Sequence, residues 1–384
     1  MNTSKRGRKV MFMLLLWAGC CSTALAQRKF LYNDTALHRF YTLLQQADTQ
    51  VLSILHLGDS HVQAGFLPDA VAAGLKARFG DAGRGWVFPY NLAGTNGPDG
   101  YRWSSNVRWD AERVVDKGNM RMESPGGIVI RTTHPAPSLS FTANPPIPMH
   151  TVACFYDGPP VEADGAAVET GDHQAVITMD STAYSFRLRW PAGVAFYGAV
   201  LKNGKPGVLY HAIGVNGAQF SHYNKPGGAV AAQMQALQPQ LVIISLGTNE
   251  AFGGVTAAQL RSDMETTVAA IREHAPQACI LFTTPPSGMM KKRQVAYRKK
   301  GSRKVYYRTR YTSNPQVLVI RDAMVRYCRE NGFAYWDLYQ AMPQDKRFAR
   351  AWSHDHVHFN AYGYTLQGTL LYEALEAGYT NFNR

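Results

Sequence analysis

The stretch VLSILHLGDSH, residues 51–61, decides how this chain is read. Val51 to Leu57 is an apolar run of strand length, and Gly58-Asp59-Ser60-His61 follows it as a turn. A serine on the turn leaving a buried strand is held exposed and rigid. Nucleophilic chemistry needs both properties.

Working outward, the apolar spacing predicts a helix over Thr35 to Gln46 and another over Pro68 to Phe79, the latter ended by Gly80. Further along, strand Leu241 to Leu246, helix Ala257 to His274, strand Cys279 to Phe282, helix Val317 to Asn331 and strand Phe333 to Trp336 alternate. A last helix is expected from about Ala361 to Ala377. This rhythm predicts an α/β fold whose parallel sheet is covered by helices on both faces.

The middle of the chain breaks the rhythm. Over residues 101–201 the runs are short, and Tyr184 to Trp190 alternates polar with apolar. Pro145, Pro146, Pro148, Pro159 and Pro160 punctuate them. That pattern predicts an inserted β-sandwich or jelly roll, with Asn203-Gly204 as a hairpin turn at its far edge. The expected division is therefore a leader at 1–26, a first α/β part at 27–100, the β-module at 101–201 and a second α/β part at 202–384.

The leader reads as a secretory signal: Lys5, Arg6, Arg8 and Lys9, then an apolar Val10 to Trp17, then Ala24-Leu25-Ala26 before Gln27. Cys20 and Cys21 after Ala18-Gly19 raise a lipoprotein alternative, but Trp17 stands where a small aliphatic residue is expected. Simple cleavage and a periplasmic or extracellular location are therefore predicted. No later segment is apolar for long enough to predict a membrane span. Cys154, Cys279 and Cys328 would remain, an odd and widely spaced set that reads as buried free thiols rather than a disulfide framework.

The formal charge of +13 is local. Residues 291–310, KKRQVAYRKKGSRKVYYRTR, hold ten Lys/Arg and no acid. Taking these ten and the four leader cations from +13 leaves −1. One basic patch on a near-neutral, exported body argues against a nucleic-acid-binding protein. The patch is expected to form an exposed, mobile loop at the rim of a site and to hold an anionic polymer.

A strand-end serine needs a base. His358 stands in SHDHVHFN, residues 353–360, three positions after Asp355. A D-x-x-H turn can carry both side chains to one pocket, the carboxylate orienting the imidazole. The alternating His354, His356 and His358 also permit a metal reading, if that segment is a strand. No other Cys/His cluster supports it, and Asp355 with His358 needs no metal. Asn249, in Gly247-Thr248-Asn249-Glu250 after the strand at 241–246, would lie at the carboxyl edge of the sheet, where such folds bind ligands. Its amide can donate to a developing oxyanion. Ile213 to Ala218 forms a second such loop, in which Gly214 and Gly217 let backbone N–H groups approach a substrate.

These four blocks, GDSH, GVNGA, GTNE and Asp355-x-x-His358, resemble those of the SGNH (GDSL-type) hydrolases. HLGDSHVQAG and AGRGWVFPY, with a β-insert between the first two blocks, resemble the peptidoglycan O-acetylesterase branch, which carries a carbohydrate-binding-type jelly roll there. The resemblance implies a flavodoxin-like three-layer sheet with an inserted all-β jelly-roll module. It also implies a serine esterase with Ser60 as nucleophile, His358 as general base and acid, and Asp355 as its orienter. Backbone N–H of Ser60 and Gly217, with the Asn249 side chain, would form the oxyanion hole. The expected substrate is an O-acetylated polysaccharide, peptidoglycan first, with no metal or organic cofactor. An O-acetyltransferase with the same triad and a non-catalytic glycan-binding protein are the rival readings. Asp59, His61 and Glu250 are left outside the catalytic set. Trp86, Trp103, Trp109 and Trp190 offer faces for sugar stacking, though core positions suit each of them better.

Overall fold

The computed structural model describes residues 29–117, 124–225 and 229–384, so the predicted leader lies outside the described residues. The central sheet has six strands. From edge to edge they are Leu31–Tyr32, Ala334–Trp336, Cys279–Thr283, Leu241–Ser245, Val51–Gly58 and Gly207–Gly214. All are parallel except Leu31–Tyr32. Taken in chain order, the five parallel strands lie 2-1-3-4-5 across the sheet, the flavodoxin-like order.

The strands are apolar on both faces because each face is covered. Leu52 and Ile54, with Leu241 and Ile243, pack in one core with Leu67, Val71, Leu371 and Leu375 from the helices Phe66–Phe79 and Ala361–Phe382. The alternate residues Leu55, Leu57, Val242 and Ile244 share the other core with Met234, Leu260, Met264 and Ile320, from helices Ala229–Leu237, Ala257–His274 and Pro315–Asn331. The side-chain period of two along a strand thus divides the chain's apolar residues between two layers.

The middle of the chain folds as two antiparallel sheets. The larger runs Ala166–Gly171, Gln174–Ala183, Met149–Asp157, Val194–Lys202, Ile128–Thr132 and Asp110–Arg113, with Gly85–Val87 paired to Val194–Lys202. The smaller runs Tyr101–Ser105, Ser138–Ala143, Ser185–Arg189 and Glu162–Ala163. Aromatic rings fill the space between them: Trp103 meets Phe196 at 5.6 Å and Tyr156 meets Trp190 at 5.8 Å. Trp86, Trp103 and Trp190 are all buried, so these rings are core and present no stacking face. The β-sheets share one continuous apolar core with Leu55, Leu57 and Phe282 of the central sheet.

Two local expectations are corrected. Asn203-Gly204 does not close a hairpin, because the strands on either side of it, Val194–Lys202 and Gly207–Gly214, belong to different sheets. The turn hands the chain from the β-module to the central sheet. Residues 291–310 are not a loop but most of an antiparallel ribbon, Met289–Arg298 against Val305–Ser313. Tyrosines at 297, 306, 307 and 311 supply strand propensity that the cations lack. Cys154, Cys279 and Cys328 are free and buried. No helix among the described residues is long and apolar enough to cross a membrane.

Candidate active site

Register places the site. Gly58 pairs with Gly214 on one side and with Ser245 on the other. The three loops that leave these residues therefore open together at the carboxyl edge of the sheet, where the strand order reverses. Gly214 has to be glycine here: a Cβ would stand 2.4 Å from Gln63 N and 2.6 Å from Asp59 O, both backbone atoms.

Ser60 is the first residue of a short helical turn, Ser60–Gln63, capped by Asp59, whose carboxylate accepts the His61 N–H at 2.9 Å. As the first helical residue, Ser60 has an N–H with no intrahelical acceptor. Its Oγ lies 2.9 Å from His358 Nε2. On the other side of the ring, His358 Nδ1 lies 2.7 Å from Asp355 Oδ2. The other carboxylate oxygen of Asp355 accepts from Ser353 Oγ at 2.8 Å, Val357 N at 2.9 Å and His358 N at 3.0 Å. Partial burial raises the Asp355 pKa, but these bonds, His358 first, outweigh it and hold the carboxyl well below the usual range. An ionised Asp355 fixes the Nδ1–H tautomer and leaves Nε2 as the acceptor facing Ser60.

The other predicted residues also gather here. Gly217 has φ +82, and a Cβ would meet nothing within 4 Å, so backbone conformation rather than space calls for glycine. Gln63 Oε1 accepts the neighbouring Asn216 N–H at 2.6 Å, tying this loop to the Ser60 turn. Asn249 Nδ2 donates to Asp59 Oδ2 at 3.1 Å and to Ala218 O at 2.9 Å. The amide thus links the serine turn to the Gly217 loop, and one of these bonds must yield before it can donate to a substrate oxygen.

Three residues outside the predicted set support this frame. Glu250 accepts Phe220 N–H and Gly247 N–H, each at 2.9 Å, and so joins the Gly217 and Asn249 loops. Burial pushes its carboxyl up to about 7, against those two hydrogen bonds. Asp59 is pushed up to about 8 by burial, against the His61 N–H bond and with help from the Glu250 charge. His61 is buried, stacked on His358 with ring centroids 5.4 Å apart and set edge-on to Tyr364 at 5.3 Å. Burial first, then the nearby His358, lowers its pKa to about 3. No sequence signal beyond adjacency to Ser60 points to His61 or Gln63.

The metal reading fails on geometry. Residues 354–358 form a turn, not a strand, so the histidines do not share a face. His358 binds Asp355, and His356 lies against Tyr311 with ring centroids 4.4 Å apart. Among the described residues no group of three or more His, Cys, Asp and Glu side chains is placed to hold a metal ion.

Residues 180–366 match the model of the GDSL-like Lipase/Acylhydrolase family. That segment carries Gly217, Asn249, Asp355 and His358, while Ser60 lies before it. Among solved structures, the fold is similar to one described as a peptidoglycan O-acetylesterase in action. The TM-score is 0.74 at 23% identity, over 90% of this chain and 96% of that one. A lipase/acylhydrolase from Enterococcus faecalis aligns at 20% identity over 43% of this chain and 74% of its own, with a TM-score of 0.31. No curated protein matches the chain in sequence.

Proposed function

We infer that this chain, a carboxylic ester hydrolase of the GDSL-like lipase/acylhydrolase family, is exported and removes O-acetyl groups from a polysaccharide, most specifically peptidoglycan. The observation that carries the chemistry is the row Ser60 Oγ, His358 Nε2, His358 Nδ1, Asp355 Oδ2, joined at 2.9 and 2.7 Å. The choice of substrate is supported by the likeness to the O-acetylesterase over nearly the whole chain.

Ser60 attacks the acetyl carbonyl while His358 takes its proton, and Asp355 stabilises the resulting imidazolium. The tetrahedral oxygen is held by the N–H groups of Ser60 and Gly217 and by Asn249, which exchanges one of its two present acceptors for it. One such donor is typically worth about 3 kcal/mol in the transition state. His358 then protonates the departing sugar oxygen. Water, deprotonated by the same ring, attacks the acetyl-enzyme and releases acetate.

The test is acetate release from O-acetylated peptidoglycan by the wild type, Ser60→Ala and His358→Ala. Each variant should lose activity by roughly 10³-fold or more. Retention of most activity in either one overturns the triad. Acetate release from a simple acetyl ester without any from the polymer overturns the substrate.

A further inference from the structure

The basic ribbon is unexplained by the triad, and its construction is unusual. Lys292 and Arg310 stand directly opposite each other across the two strands, a like-charge pair that destabilises a ribbon left to itself. The Tyr297 and Tyr306 rings lie against each other, tilted by 35° with centroids 5.7 Å apart. Arg308 lies 5.1 Å over the Tyr297 ring and Lys299 lies 4.8 Å over Tyr306, so rings and not carboxylates hold these cations in place. Among the described side chains, no Asp or Glu is ion-paired with Lys291, Lys292 or any lysine or arginine of residues 296–310. Elsewhere on the surface, arginines such as Arg78, Arg189 and Arg261 have acidic partners.

The ribbon is rooted on the turn that carries the candidate base. Met289 N–H donates to His356 O at 2.9 Å, Tyr311 OH donates to His354 O at 3.2 Å, and the Tyr311 ring lies against His356. A field of cations with no acidic partner among the described residues therefore rises from the same segment that positions His358.

We propose that this ribbon is a binding arm for the polymer substrate itself, gripping carboxylates repeated along an anionic glycan while an acetyl ester reaches Ser60. The occupant follows from charge complementarity and from the shared root: a surface fixed to the His358 turn is placed to hold whatever that turn acts on. In peptidoglycan the carboxylates are those of the stem peptides. The inference rests on the reading of the site as a polysaccharide esterase, but it concerns binding and is measured without turnover.

The experiment is co-sedimentation of the purified chain with insoluble peptidoglycan sacculi at about 10 and about 150 mM salt, where the screening length falls from roughly 30 Å to 8 Å. The wild type is compared with a variant carrying Lys291→Gln, Lys292→Gln, Arg308→Gln and Arg310→Gln. A second variant keeps the charge (Lys291→Arg, Lys292→Arg, Arg308→Lys, Arg310→Lys). At low salt the glutamine variant should bind on the order of tenfold more weakly and lose most of its salt dependence. The charge-keeping variant should bind like the wild type, which separates loss of charge from loss of fold. Sacculi whose carboxylates have been amidated should bind weakly. Equal binding by the glutamine variant, or equal binding to amidated sacculi, overturns the proposal. So does tighter binding to anionic phospholipid vesicles or to duplex DNA than to sacculi. Ser60→Ala should bind sacculi as the wild type does, so a failed triad and a failed arm give different results.

Discussion

Replacing His61 by phenylalanine should make the protein more tolerant of acid. In the fold the ring is buried against His358, Phe359 and Tyr364, and its pKa falls from 6.5 to about 3. In the unfolded chain it takes a proton below about 6.5. The folded pKa is depressed, so the unfolded state binds more protons as the medium is acidified. His61 therefore imposes no penalty above pH 6.5, and stability is lost as pH falls from 6.5 towards 3. At about 1.4 kcal/mol per unit, the wild type should lose about 2 kcal/mol by pH 5 relative to a variant with no titrating ring, and up to about 5 kcal/mol near pH 3. Phenylalanine keeps an aromatic ring in the slot, and any packing cost it brings is independent of pH. The buried His56 and His211, whose pKa values also fall to about 3, are common to both proteins and cancel. Urea unfolding at pH 7.5 and pH 5 gives the stability difference between the two proteins at each pH. A difference that does not change between them refutes the claim that burial keeps His61 neutral.

Asp355→Asn keeps one oxygen for the Val357 and His358 N–H groups but turns an amide donor towards His358 Nδ1, imposing the wrong tautomer. Ester hydrolysis should fall about 10⁴-fold with the fold intact by circular dichroism, and a drop of less than about tenfold would contradict the role assigned to Asp355. Gly214→Ala drives a methyl into the backbone of Asp59 and Gln63, so stability should fall by about 1–3 kcal/mol together with activity. An unchanged melting temperature would mean that the serine turn does not rest on that strand. Glu250→Gln leaves one buried N–H, of Phe220 or Gly247, facing an amide donor, which should cost about 1–3 kcal/mol in chemical denaturation. No loss would show that the two loops are joined by other means.

Much of the architecture was readable because its signals are local. Val51 to Leu57 and Leu241 to Leu246 are apolar on both side-chain faces, broken only by Ser53, His56 and Ser245, as a sheet covered on both faces demands, and Ala257 to His274 matches the observed helix end to end. Asp355 and His358 lie three residues apart, so one turn suffices to bring them together. The supporting residues were hidden because their meaning is tertiary. Glu250 becomes a brace only when Phe220, thirty positions away in the chain, arrives at its other oxygen. Gln63 matters through partners distant in the chain, Asn216 and the Thr95-Asn96 loop. Asn203-Gly204 has hairpin chemistry, but the strands beside it part to different sheets, which no two-residue signal encodes. The ribbon reads as a loop in the sequence because cations dominate it and its tyrosines, at 297, 306, 307 and 311, show no regular alternation.

The pairing of Val51–Gly58 with Gly207–Gly214 sets an order of events. Their carboxyl ends, Gly58 and Gly214, are separated by 155 intervening residues, and closing a loop of that length costs about 4–5 kcal/mol by the three-halves RT ln n rule. Only condensation of the intervening β-sheets shortens that gap, because Val194–Lys202 delivers the chain directly to Gly207. Contact between Ser60 and the Gly217 loop is therefore disfavoured by that amount until the intervening sheets have folded. A chain of this kind would stay chemically silent while it folds and gain its reactivity last. In refolding, esterase activity should return with the slowest phase, and activity that precedes the formation of β-structure would contradict that sequence.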